Sequence, residues 1–175
     1  MKKIKVAVVG PESSGKSTLV KELASLFQCD YVEEYARQYI QNLDRPYSYR
    51  DLQIIAKKQM KQENEAFVNS DHMLICDSSL ITIKVWSYDK FGKCEKWIEQ
   101  QLGMEKYDLM LLCKPDLPWQ PDPLREDEHR REYLFHIYSS YLKQNNQSYK
   151  VVEGKGVQRT NLAADFVSEL LNDLK

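Results

Sequence analysis

Five apolar runs punctuate the chain, at residues 5–9, 31–32, 73–76, 109–112 and 150–152. Each is short, β-branched or leucine-rich, and nearly continuous rather than alternating with polar positions. Strands of a parallel sheet covered on both faces read this way. The longer segments between them repeat apolar residues at helical spacing, so the pattern predicts an α/β chain: a parallel sheet between two layers of helices. Within 49–69, Leu52, Ile54, Ile55, Met60 and Phe67 recur with no Gly or Pro, which predicts one long helix. Pro115, Pro118, Pro121 and Pro123 exclude a continuous helix there and predict a loop. The charged run 125–132 follows, and then Tyr133, Leu134, Ile137, Tyr138, Tyr141 and Leu142 share one helical face. A closing amphipathic helix is expected over 160–174.

Length and composition narrow the reading. At 175 residues the chain suits one unit with a small mobile lid at about 115–132. Its 25 basic and 26 acidic residues give a net charge of −1, so no global positive field favours nucleic acid or an anionic membrane. The apolar stretch 4–9 is too short for a signal segment or membrane span, so a cytoplasmic protein is expected. Cys29, Cys76, Cys94 and Cys113 have no zinc-like spacing and are expected as reduced thiols. His72, His129 and His136 fit no ligand set and are expected as structural or surface residues.

Against that background one segment carries definite chemistry. Gly10-Pro11-Glu12-Ser13-Ser14-Gly15-Lys16-Ser17-Thr18 fits G-x-x-x-x-G-K-[ST] between the first strand and a helix, the P-loop arrangement. Gly10 and Gly15 permit a backbone nest whose N–H groups, with those of Glu12, Ser13 and Ser14, face phosphate oxygens. Lys16 would reach the β and γ phosphates of ATP, Ser17 would place a hydroxyl on Mg²⁺, and Thr18 would lie near the α phosphate.

Four further groups fall where the same edge of the sheet is expected. Asp77, ending the third run, is a candidate magnesium carboxylate, although Asp77, Ser78 and Ser79 would also serve as helix caps. Glu33-Glu34-Tyr35-Ala36-Arg37 follows the second run. There Glu34 could take the proton of an attacking hydroxyl and Arg37 could hold an anion, or the segment could be an acidic first helical turn. The 119–125 loop, ending in Arg125 and followed by Arg130 and Arg131, suits a lid over the triphosphate, with a solvated charged helix as the bland alternative. Trp119 could anchor a core or stack on a ring substrate. Finally, Gly154 and Gly156 after the fifth run allow close backbone approach to an adenine face.

Taken together, GPESSGKSTL at 10–19, EYARQY at 34–39, ICDSSLIT at 75–82, PWQPDPLR at 118–125 and EGKGVQRTNLA at 153–163 resemble one family almost end to end. It is the ribosylnicotinamide (nicotinamide riboside) kinase domain of NadR-type proteins, within the wider group of small AAA-type ATPases and kinases. The resemblance implies a P-loop NTPase fold of the nucleoside and nucleotide kinase kind, with a helical lid. It also implies ATP- and Mg²⁺-dependent phosphorylation of the 5′-hydroxyl of nicotinamide riboside, giving nicotinamide mononucleotide. It places Glu34, Tyr35 and Arg37 at the acceptor ribose, with Asp77 at the substrate as well as the metal. Trp119 and Asp122 then fall on the pyridine side, with Arg125 closing that motif and Arg130 at the nucleotide. Ser79 departs from the family, which often has a second acid there. With no H-x-G-H motif and no length for an adenylyltransferase domain, the chain is expected to stop at the mononucleotide. Two rivals stay open on sequence alone: a nucleotide-dependent regulatory ATPase, and a kinase for another nucleoside or vitamin. The guanine signature is not evident, which favours ATP.

Overall fold

The first strand, β1 (Ile4–Val9), is buried at every position and sits in the middle of a five-stranded sheet. The computed structural model describes residues 2–122, 125 and 128–174. In chain order the elements are β1, α1 (Lys16–Phe27), β2 (Asp30–Val32), α2 (Tyr35–Gln41), α3 (Tyr49–Asn69), β3 (Met73–Asp77), α4 (Leu80–Phe91) and α5 (Lys96–Met104). They continue with β4 (Leu109–Cys113), a 3₁₀ turn (Glu128–Arg130), α6 (Arg131–Gln144), β5 (Tyr149–Val152) and α7 (Gly156–Asp173). All pairings are parallel, in the order β2-β3-β1-β4-β5. The expected strands and the long helix 49–69 are thus present.

Alternation along the strands builds two cores. Val6, Val8, Ile75 and Leu111 pack with Leu19 and Leu23 of α1 and Ala163 and Val167 of α7. Ala7, Val9, Leu74, Cys76 and Leu112 face the other way, against Leu52 and Ile55 of α3, Ile81 of α4, Ile98 of α5 and Tyr138 of α6. Because every strand is parallel, all five carboxyl ends meet at one edge, where an open α/β sheet binds its ligands. Burial pushes the thiols of Cys29, Cys94 and Cys113 up, Cys29 to about 11, which leaves them poor nucleophiles. No helix among the described residues is long and apolar enough to cross a membrane.

The start of α3 is held by one carboxylate. Asp51 accepts the Ser48 amide at 2.7 Å in a capping box, both Arg45 nitrogens at 2.7 and 2.9 Å, and the Tyr39 hydroxyl at 2.8 Å. Arg45, aided by Ser48 and Tyr39, holds the Asp51 carboxyl well below the usual carboxylate range, although burial opposes this. Its folded value lies below the unfolded one, so its stabilisation is complete above the unfolded value and fades as pH falls below it. Asp51→Ala is expected to cost about 2 kcal/mol near neutrality, mainly through the cap because Arg45 is half exposed and screened. Urea melts at pH 7 and pH 3 check this: the gap between variant and parent narrows in acid.

Candidate functional site

Between β1 and α1 the chain turns through three residues of positive φ: Gly10 at 139°, Ser13 at 52° and Gly15 at 77°. A Cβ on Gly10 would lie 2.7 Å from the Cys113 carbonyl oxygen, and one on Gly15 would lie 2.7 Å from the Leu117 side chain. At Gly10 glycine is therefore required for close approach to backbone as well as for φ, and at Gly15 for φ. The Ser14 hydroxyl and the Lys16 ammonium both donate to the Pro11 carbonyl, at 2.7 and 2.9 Å, which curls the loop around the start of α1. The orphan amides of that helix start point into the space the loop encloses, a ready anion site.

A cavity of about 420 Å³ opens from this loop along the carboxyl edge of the sheet. Toward the β5 edge it is lined by Gly156, Arg159 and Thr160 of α7, and toward the β2 edge by Glu34, Arg37 and Ile40 with Thr82 and Trp86 of α4. Leu117, Pro118, Gln120 and Arg125 line it from the segment after β4. Gly10 and Glu12 through Thr18 form its floor.

Two carboxyls stand by the loop: Glu34 lines the cavity, and Asp77 does not. Asp77 ends β3 and is 3% exposed; burial pushes its carboxyl up, while Lys16 and the Ser17 hydroxyl pull it down. Its Oδ1 has no hydrogen-bond partner among the described residues. Helix capping falls to Ser79, whose side chain accepts the Ile81 amide at 3.4 Å, so Asp77 is left facing Lys16 and Ser17. Glu34 stands at the N-cap of α2, yet its side chain makes no cap bond among the described residues. Burial, with Asp77 and Glu12 nearby, pushes Glu34 up to about 7, against the pull of Lys16 and Arg37.

The segment after β4 is tied to the loop below it. The Gln120 amide donates to the Ser13 hydroxyl at 3.0 Å, and Arg131 donates to the carbonyls of Leu117 at 2.9 Å and Ser13 at 3.3 Å. Arg125 and Arg131 both lie over the Trp119 ring, at 6.0 and 5.6 Å. Arg37 donates to Asp122 at 3.0 Å through one nitrogen and more closely through the other. Pro123 and Leu124 of the expected lid, with Glu126 and Asp127, lie outside the described residues.

The remaining expected site residues fall as follows. Asp77, Tyr35, Trp119 and Asp122 are not among the residues lining the cavity. Tyr35 instead packs toward the core, 6.0 Å from the Tyr39 ring. Arg130 departs from its expected place at the nucleotide: it ends the 3₁₀ turn, pairs with Asp89 of α4 at 2.9 Å and lies over Tyr133, while the adjacent Arg131 faces the loop. Gly156 lines the cavity; Gly154 instead donates its amide to Asp116 at 2.7 Å.

Sequence reasoning gave no role to several residues that the structure brings to the site. Arg159, 4% exposed, donates to Asp116 at 2.8 Å and to the carbonyls of Gly154, Ser14 and Lys114 at 3.0, 2.8 and 3.1 Å. It ties the turn before α7 to the phosphate loop. Thr82 and Trp86, four residues apart on one face of α4, form the β2-side wall. The Thr82 hydroxyl is buried beside the Tyr138 phenol, yet it has no hydrogen bond of normal geometry among the described residues.

Comparison with known proteins places this geometry in context. A family model described as an AAA domain matches residues 5–159. The trifunctional NAD biosynthesis/regulator protein NadR of Escherichia coli (strain K12) is 27% identical, the match covering 96% of this chain and 43% of that protein. The crystal structure of a NadR protein in complex with NR superposes with a TM-score of 0.83 at 23% identity, over 96% of this chain and 51% of that one. A NadR structure in complex with NAD and AMP-PNP gives 0.79 at 22% identity, over 96% and 49%. The chain spans less than half the length of this curated relative and about half of the solved chains.

Proposed function

We propose, from the premise that this chain belongs to the AAA domain family, that it is an ATP-dependent kinase for a pyridine nucleoside. The acceptor is the 5′-hydroxyl of nicotinamide riboside and the products are nicotinamide mononucleotide and ADP. The observation that carries this reading is a single cavity joining the phosphate loop to an up-shifted carboxyl, Glu34, and to a recess walled by Ile40, Thr82 and Trp86. The names of the similar NadR structures, one with NR and one with AMP-PNP, support the same pair of substrates.

In this mechanism the loop amides and Lys16 hold the triphosphate and position its γ phosphoryl group. Ser17 and Asp77 would hold Mg²⁺, and the buried, unpartnered Asp77 Oδ1 beside Lys16 and Ser17 fits that use. When bound, the ion neutralises phosphate charge. Glu34 accepts the hydroxyl proton, and a base of about 7 suits that step at neutral pH. Arg37 and Arg125, both lining the cavity, stabilise charge on the transferred group. The segment at about 115–132 acts as a lid that excludes water as a competing acceptor. We place the protein in the cytoplasm, where ATP and reduced thiols coexist.

Trp86, which lines the cavity, supplies the platform for the pyridine ring rather than Trp119, which does not line it and has Arg125 and Arg131 over its ring. Trp86→Ala is expected to raise the acceptor KM about two- to tenfold with the ATP KM unchanged, since a ring contact contributes about 0.5–1.5 kcal/mol. The same KM for both proteins would move the ring elsewhere. The reading as a whole is tested by coupled ADP release with ATP and Mg²⁺ over a panel of nucleosides and vitamins. Turnover dependent on nicotinamide riboside supports it. Slow ADP release indifferent to every acceptor replaces it with a nucleotide-operated switch.

A further inference from the structure

A chain of buried polar groups leads away from the site along the α3 side of the sheet. Gln59 of α3 accepts the Tyr35 amide on its Oε1 at 2.8 Å and donates through Nε2 to Glu63 Oε1 at 2.9 Å. The other Glu63 oxygen pairs with the Lys5 ammonium at 2.7 Å and accepts the Tyr107 hydroxyl at 2.7 Å. The Tyr107 oxygen also lies 2.8 Å from Glu105, so its single proton is shared between two carboxyls, and the Lys5 ammonium lies 4.4 Å over the Tyr107 ring. Gln59 is 3% exposed and Glu63 fully buried. Apolar residues of similar volume would commonly serve stability as well as such a buried ionic cluster does. The location of its last hydrogen bond therefore bears on why it is polar.

That bond ends on the first amide of α2, directly after Glu34. A helix start carries orphan amides; a capping side chain reaches those of the second and third residues, so the first amide needs a partner from elsewhere. Glu34 makes no such bond among the described residues; Gln59 reaches in from α3 and takes the Tyr35 amide. The peptide that follows Glu34 is thereby fixed, and the Glu34 carboxyl lines the cavity with Lys16 and Arg37. The orientation of the Gln59 amide is fixed at both ends. Its oxygen must meet an N–H and its NH₂ a carboxylate, and a flip would set donor against donor and acceptor against acceptor. Glu63, held by Lys5 and Tyr107, is what locks it.

We propose that Gln59 is a positioning residue for Glu34: by accepting the Tyr35 amide it pins the peptide that joins Glu34 to α2, and so holds the Glu34 carboxyl toward the phosphate loop and the acceptor. This rests on the kinase reading above and adds to it a residue outside the cavity. Gln59→Leu removes both bonds at nearly constant volume. Gln59→Glu in its protonated form keeps an acceptor for Tyr35 and a donor for Glu63.

The test measures kcat per ATP-binding site, the KM values for ATP and nicotinamide riboside, and hydrogen exchange at the Tyr35 amide in the parent and both variants. Counting sites by ATP titration removes any contribution from misfolded protein, and Gln59→Met replaces the leucine variant if that one does not fold. The expected result is a fall in kcat per site of tenfold or more in Gln59→Leu, an ATP KM within twofold of the parent, faster exchange at Tyr35, and substantial recovery of kcat in Gln59→Glu. Unchanged kcat per site with Tyr35 deprotected overturns the proposal and leaves the kinase intact. Equal losses in both variants also overturn it, because the retained acceptor then counts for nothing. A parent protein that phosphorylates no acceptor removes the kinase reading, and this proposal with it.

Discussion

Lys16→Ala is expected to lower phosphoryl transfer by at least about 10²- to 10³-fold while the protein stays folded. The ammonium is the cation that the loop supplies where charge builds on the β and γ oxygens, and amides alone do not replace it. It has a second role here, because Lys16 is the largest influence holding down both Glu34 and Asp77 against their burial. Its removal lets both carboxyls rise further, so the variant also starts with fewer ionised groups for proton abstraction and metal binding. Some stability goes with it, because two carboxyls lose a counter-charge. The hydrogen bond from Lys16 to the Pro11 carbonyl, which Ser14 also satisfies, adds no more than about 1 kcal/mol to that loss. A coupled assay beside a thermal melt separates the two effects. Full turnover in a folded variant would remove the phosphate-loop mechanism.

What could be read from sequence was what contiguous residues build by themselves. The loop 10–18 makes its own nest, and each central strand is a buried run because helices cover both faces of the sheet. The helix 49–69 has a strong apolar stripe and a capping box at Ser48 and Asp51, and the structure gives it the same limits. By contrast, α5 buries only Ile98 and Leu102, too thin a stripe to stand out. Thr82 and Trp86 were hidden for the opposite reason: α4 buries six of its twelve residues, Thr82 and Ser87 among them, so apolar contrast does not mark the face that meets the cavity. Arg130 read as a nucleotide contact, but the helical phase where the charged run enters α6 turns it to Asp89 and sets Arg131 on the loop. Trp119 read equally as a core anchor or a stacking surface; the arginines over its ring come from residues 125 and 131, an arrangement fixed only in three dimensions. Gln59 had no signal at all, since its partners lie 24 residues before it and four after it.

Glu34→Gln has the second large effect, and it acts on activity and stability with opposite sign. Turnover is expected to fall about 10²- to 10⁴-fold, because glutamine fills the same space and cannot take a proton. ATP affinity changes little, since the loop is intact. In the parent, activity falls as pH drops through about 7, the value to which burial lifts Glu34, and the residual activity of the variant lacks that acidic limb. Stability moves the other way. A carboxyl whose folded value is raised binds its proton more tightly folded than unfolded, so it favours folding in acid and disfavours it increasingly as pH rises from its unfolded value through about 7. Glutamine is free of that cost. The variant should therefore melt at a higher temperature than the parent at pH 8, with the advantage shrinking toward pH 5. A variant that is inactive and relatively more stable above neutrality identifies Glu34 as a group held in an unfavourable environment for its chemistry. One that is inactive and less stable at both pH values identifies it as a structural carboxylate, and the proton acceptor would have to be sought at Asp77 or in solvent.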